Sequence, residues 1–281
     1  MYVIKSILLP IDGSNYSETI LKYGIYLAKK LNTVIRVLSV VDIRLIDWSM
    51  ATGAESFVPL MPSADFQAES QKMHEEKAEK ITEKAAGILK KSEIVHEIIK
   101  TSGIPSDEIC HQAMENDFVI MGIRGEYERW TNKFLGATVE NVTRQINKPI
   151  MLVDKDFKPV QRIHCGYDGS NSANKALQLS AYLADALKLN LQVIAISTSE
   201  EERDQLLREA DRYLNPYKIE YNLRHESGDP SDTLVNVQNS APSPSLMVIG
   251  SYGHTRLREA IIGSTTVEVM RKAVKPVLLA K

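Results

Sequence analysis

Ile7-Leu8-Leu9-Pro10-Ile11-Asp12-Gly13-Ser14 returns 156 residues later as Ile163-His164-Cys165-Gly166-Tyr167-Asp168-Gly169-Ser170. The same offset carries Leu27-Ala28 onto Leu183-Ala184 and Val37-Leu38-Ser39-Val40 onto Val193-Ile194-Ala195-Ile196. Further on, Gly103-Ile104-Pro105-Ser106-Asp107 matches Gly228-Asp229-Pro230-Ser231-Asp232 at 125, Gly122 matches Gly250 at 128, and Gly136 matches Gly263 at 127. Lys148-Pro149 and Lys275-Pro276 close the two copies. A repeat of this length is a whole folding unit, so the chain must build the same unit twice. The drop in offset places a 31-residue excess between the second and third strands of copy one. The expected units are 1–155, with a long insertion at 43–91, and 160–281; a short charged stretch, Lys155-Asp156-Phe157-Lys158-Pro159, joins them.

Within each copy, short apolar runs alternate with helical patterns five times, which predicts a mainly parallel sheet with helices on both faces. Strands are expected at 3–11, 34–41, 94–101, 117–122 and 149–154, then at 161–167, 190–197, 218–226, 245–250 and 276–280. A long helix over about 65–91 alternates Glu and Lys on its outer face, read as a solvated face. Met73, Ala78, Ile81, Ala85 and Ile88 form its apolar stripe.

Composition narrows the class. Apolar residues at 43% and charged residues at 25% suit a soluble globular chain. A net charge of −2 with no basic field argues against nucleic acid. No apolar run approaches the ~20 residues of a membrane span, and the N-terminus lacks a signal-peptide layout, so no membrane role and a cytoplasmic location are expected. Cys110 and Cys165 stand outside any CxxC pattern, and His74, His96, His111, His164 and His225 show no ligand spacing, so no metal site is expected.

The chemistry-bearing feature is the glycine loop. Leu246-Met247-Val248-Ile249 leads into Gly250-Ser251-Tyr252-Gly253, nine residues follow, and Gly263-Ser264-Thr265-Thr266 opens a helical pattern. A strand's carboxyl end followed by a helix's amino end offers unpaired N–H groups and the positive end of the dipole, which favour anions. Ser264 and Thr265 supply hydroxyls that either cap the helix or face a phosphate. A capped turn with no ligand is the plain alternative. In open α/β sheets ligands sit beyond strand carboxyl ends where strand order reverses, so Asp168 is expected opposite Gly250 if strands one and four of copy two are neighbours. Asp12 and Asp168 also suit a plain Asp-Gly-Ser turn.

Asp-Gly-Ser after strand one, Gly-x-Pro before helix three and Gly-x2-Gly-x9-Gly-Ser after strand four together resemble the universal stress protein family, twice over and across nearly the whole chain. The resemblance implies an α/β fold of two tandem doubly wound domains, each a five-stranded parallel sheet of order 3-2-1-4-5. It also implies antiparallel pairing of the two last strands within the chain, with a further homodimer left open. It implies bound ATP or ADP, with Mg²⁺ ligated through phosphate oxygens and water. Asp168 would contact the adenosine end and Ile196 would wall the base. Gly250 and Gly253 would let backbone approach ribose and α-phosphate, and Gly263, Ser264 and Thr265 would hold the outer phosphates. Gly166, Tyr167, Ile249, Ser251, His254 and Thr266 complete that candidate set. In copy one the candidates are Asp12, Val40, Gly122, Gly125, Gly136 and Thr138. There the second gap is ten residues, and Ala137 replaces the serine. Copy two carries Gly166 where the family usually has proline, as at Pro10.

No nucleophile–base pair and no P-loop lysine is visible, so a regulatory nucleotide binder, non-catalytic or slowly hydrolysing and acting on an unidentified protein partner, is the leading expectation. A nucleotide-independent scaffold and an ATP-hydrolysing or adenylating enzyme are the alternatives. Arg256 and Arg258 either neutralise phosphates or pair with Glu259. The apolar, irregular stretch 44–62 packs on its own domain, covers the first site or meets a partner.

Overall fold

The computed structural model describes residues 3–44, 64–126, 135–251 and 264–281, and the side chains of these apart from 64–67. The first half runs β1 (Ser6–Pro10), α1 (Asn15–Leu31), β2 (Val34–Asp42), α2 (Ala64–Lys91), β3 (His96–Gly103), α3 (Pro105–Ala113), β4 (Phe118–Gly122), α4 (Ala137–Gln145) and β5 (Ile150–Val153). The second runs β6 (Arg162–Gly166), α5 (Asn171–Leu187), β7 (Asn190–Ile196), α6 (Glu200–Leu214), β8 (Tyr221–Glu226), α7 (Pro230–Ser240), β9 (Ser245–Gly250), α8 (Ser264–Lys272) and β10 (Val277–Ala280).

All ten strands form one sheet of order β3-β2-β1-β4-β5-β10-β9-β6-β7-β8. Numbered within its own copy, each half therefore reads 3-2-1-4-5. Every pairing inside a half is parallel, and the joint between halves, β5 with β10, is antiparallel: Leu152 faces Val277, Met151 faces Leu278 and Ile150 faces Leu279. The burial of each strand follows its place in that order. β1, β4, β5 and β10 are buried at every residue, as unbroken apolar runs require in a sheet covered on both faces. The edge strands β3 and β8 are less buried and carry charged residues, which discourages pairing with another chain.

The connection between halves is not a free tether. Tyr23 and Tyr26 of α1 donate their hydroxyls to the carbonyls of Lys158 and Val160 at 3.1 and 3.0 Å. Thr19 donates to the Lys155 carbonyl, and the Phe157 ring lies edge-on to Tyr23 at 4.7 Å. Across the joint, the Ile4 amide donates to the Tyr182 hydroxyl of α5, and α1 touches α5.

Two expectations need correction. Met73 is 60% exposed, so it is not on the buried stripe of α2; Ala78, Thr82, Ala85 and Leu89 form it, spaced by three or four residues. The outer charges of α2 are exposed as expected, and two of them form surface pairs, Lys77 with Glu126 and Glu79 with Lys100. Val3, expected in the first strand, precedes it and is half exposed. The apolar stretch 45–62 lies outside the described residues, apart from which Arg44 pairs with Asp42.

Candidate functional site

Two related clefts open beyond the carboxyl ends of the strands, one in each half. Each begins at the turn after the first strand. Gly13 and Gly169 sit at φ +80° and +74°, a left-handed conformation that favours glycine. At Gly13 a β-carbon would also stand 2.7 Å from Ile81 of α2. This turn folds the Asp carboxylate back on its own loop. The Ser14 amide and the Ser17 hydroxyl donate to Asp12 Oδ1 at 2.9 and 3.1 Å. The Ser170 amide donates to Asp168 Oδ1 at 3.0 Å.

The neighbouring strand supplies the opposite wall, since β1 pairs with β4 and β6 with β9. Gly122 and Gly250 end those strands, where the first helix of each half leaves no room for a side chain. A β-carbon at Gly122 would lie 2.6 Å from Tyr16 Cβ, and one at Gly250 2.6 Å from the Ser172 carbonyl carbon. The first glycine of each loop thus answers a packing constraint as well as any ligand. The Gly-x-Pro segments add the third wall. Pro105 and Pro230 occupy the first turns of α3 and α7, where a missing N–H costs nothing, and each lines its cleft.

The first cleft encloses about 320 Å³. Asp12, Val40, Gly122, Gly125, Gly136 and Thr138 all line it. The sequence reading missed the contribution of α2, whose His74, Lys77, Ala78 and Ile81 form a further wall. Their spacing of three, one and three residues marks one helix face, although nothing in it tells which face meets a ligand. Gly136 caps α4 without a side-chain bond, so the first amides of that helix lack intrahelical partners.

The second cleft is narrower, about 200 Å³. Gly166, Tyr167, Asp168, Ile196, Ile249, Gly250, Ser264, Thr265 and Thr266 line it. Ser251 is fully buried and does not reach the described wall. Gly253, His254 and Gly263, with Arg256, Arg258 and Glu259, lie outside the described residues. Ser264 and Thr265 are helical, the first described residues of α8. Thr266 donates its hydroxyl to the Gly250 carbonyl at 3.1 Å, tying helix to strand. On the facing side the Ser170 and Ser172 hydroxyls are 3.1 Å apart, and Ser170 caps α5 by accepting the Ala173 amide. The second cleft is therefore rich in hydroxyls and the first in apolar and charged groups. Gly166 has little spare room, because a β-carbon there would meet Leu234 at 3.1 Å.

The strongly displaced titratable groups lie elsewhere. Burial holds His164 down to about 4 and drives Cys165 up to about 12. Burial likewise raises Cys110 to about 11 and lowers Lys281 to about 8. None of the four lines either cleft. Among the described residues no cluster of His, Cys, Asp and Glu has the makings of a metal centre, and no helix is long and apolar enough to cross a membrane.

A parallel α/β unit used twice, joined edge to edge through its last strands and with a cleft at each order reversal, defines a tandem member of a doubly wound class. The chain belongs to the universal stress protein family, whose model matches residues 4–154 and again 159–281. It is 29% identical over 287 residues to the universal stress protein Slr1230 of Synechocystis, covering 98% of this chain and 99% of that one. Its fold is similar to that of a universal stress protein from Archaeoglobus fulgidus, with a TM-score of 0.76, 24% identity and coverage of 98% and 96%. It is also similar to a functionally unknown protein of Pseudomonas aeruginosa, with a TM-score of 0.65, 17% identity and coverage of 99% and 92%.

Proposed function

We propose that this protein is a non-catalytic adenine-nucleotide sensor of the stress response, holding ATP or ADP in the second cleft and passing its occupancy to a protein partner. The observation that carries this reading is the convergence of Asp168, Ile196 and Gly250 with Ser264 and Thr265 around one cleft. A helix amino end with two hydroxyls suits phosphate oxygens, and an apolar side chain across from it suits a base. Mg²⁺ would travel with the phosphates, held by their oxygens and water. Copy two also keeps the nine-residue spacing and the serine of the family's loop, which copy one lacks.

Extraction of the purified chain followed by calorimetry with ATP and ADP tests this. Binding that weakens at least tenfold in Gly253→Val and severalfold in Ser264→Ala supports it. No bound nucleotide and no heat of binding would refute it. A turnover rate well above ~1 per second, the ordinary enzyme range, would move the protein to the enzymes instead.

A further inference from the structure

The first cleft has the same frame as the second but a different chemistry at the end where outer phosphates would lie. Ala137 and Val139 stand where the second cleft has Ser264 and Thr266, so two hydroxyls are replaced by apolar groups. Glu126, directly after the second glycine of its loop, takes the position of His254, so a carboxylate stands where copy two has an imidazole. Two of the cations around the rim, Arg44 and Lys77, are already matched to carboxylates. Arg44 makes two bonds to Asp42, at 2.9 and 2.7 Å, and Lys77 is paired with Glu126. Both oxygens of Asp12 are engaged, Oδ1 by Ser14 and Ser17 and Oδ2 by the Glu126 amide at 2.9 Å. A polyphosphate entering here would have to break those pairs and face the carboxylates of Asp12 and Glu126 within a confined space, where like charges repel strongly. Val40, Val41, Ile81, Ile109 and Met121 make a broad apolar part of the wall, beside Ser39, His74, Arg124 and Thr138. Its volume of about 320 Å³ falls in the range of small-molecule sites, ~300–1,000 Å³.

We propose that the first cleft binds an uncharged ring compound of nucleoside size and excludes polyphosphates, so that the two clefts of one chain take ligands of opposite charge character. Val40 and Asp12 keep the places that Ile196 and Asp168 hold in the second cleft, which is why a nucleoside is the fitting probe. The contrast with a triphosphate in the second cleft rests on the function proposed above, but binding in the first does not.

The test is equilibrium dialysis of the full chain with labelled adenosine, with and without saturating ATP. One adenosine per chain is expected to remain bound under saturating ATP, its affinity changed less than threefold. Ile81→Trp, which fills the cleft, should abolish that binding while leaving ATP stoichiometry unchanged. Ala78→Leu serves the same purpose if Ile81→Trp does not fold. Glu126→Lys combined with Ala137→Ser should raise ATP stoichiometry by one per chain. Displacement of all adenosine by ATP, or two ATP per wild-type chain, would overturn the proposal, as would adenosine binding that neither filling variant changes. Absence of ATP binding with adenosine binding still sensitive to position 81 would overturn the sensor reading alone. Absence of adenosine binding with ATP retained would overturn this inference alone.

Discussion

Asp12 Oδ2 accepts the backbone N–H of Glu126 at 2.9 Å, closing a contact between residues 114 apart in the chain. The bond joins the loop after β1 to the loop after β4, and both loops border the first cleft. Position 125 has to be glycine for this, because a β-carbon there would stand 2.6 Å from the same carboxylate oxygen. Replacing Asp12 with Ala leaves the Glu126 amide, the Ser14 amide and the Ser17 hydroxyl without their acceptor. A cost of about 1–2 kcal/mol is expected, kept modest because water reaches this surface. Urea unfolding measures it, and Asp12→Asn, which keeps one acceptor oxygen, should recover part of the loss.

Gly122→Ala and Gly250→Ala each drive a methyl group into the start of the first helix of their half. Contacts of 2.6 Å against Tyr16 Cβ and the Ser172 backbone cannot be relieved by a rotamer change. Each should destabilise the protein by about 1–3 kcal/mol, the usual range for overpacking. Gly87→Ala provides the control. It lies within α2 with nothing within 4 Å of a new β-carbon, so a gain of about 0.5–1 kcal/mol is expected. Thermal melting of the three variants should separate them in sign.

His164 gives the protein an acid limit. The ring is buried in β6, with Nδ1 against Gln192 Oε1 at 3.1 Å and Nε2 without a partner. Burial lowers its pKa from 6.5 to about 4, so the unfolded chain takes up a proton more readily than the folded one. The favoured state is the neutral folded ring. Its contribution is fully present above pH ~6.5 and is lost as pH falls toward 4, roughly 3 kcal/mol in total. Denaturant midpoints measured from pH 7 to 4 should fall more steeply for the wild type than for His164→Gln.

The joint between halves should make them unfold together. Leu278 is fully buried on β10, opposite Met151 of β5. Leu278→Ala removes about 2–5 kcal/mol, typical of a core leucine. Hydrogen exchange should then rise in β4 and β5 as well as in β9 and β10. A rise confined to the second half would show that the halves unfold independently.

Much of the fold was legible because the repeat states it twice. Val37 and Val193 mark equivalent strands, and Gly122 and Gly250 mark equivalent strand ends, so offsets alone fixed element order. Sheet order and the β5–β10 joint followed from the family resemblance rather than from spacing. The errors have local causes. Met73 matches an apolar pattern loosely, but it lies five residues before Ala78, about 140° around a helix and off the buried stripe. Thr82 interrupts the apolar pattern, yet its hydroxyl donates back to the Ala78 carbonyl at 2.9 Å and so can be buried. The part of α2 that walls the first cleft was not legible, because an amphipathic pattern reveals a buried face but not its neighbour. Gly250 lines its cleft, and Ser172, 78 residues earlier in the chain, demands glycine there as well. Long-range packing of that kind leaves no periodic trace.

Under the proposed function one chain holds a single adenine nucleotide, in its second cleft. Titration of the wild-type chain with Mg²⁺-ATP by calorimetry tests it most directly. One ATP per chain is predicted, abolished by Gly253→Val and retained in Gly125→Val. A stoichiometry of zero or two, or loss of binding only in the Gly125 variant, would contradict it.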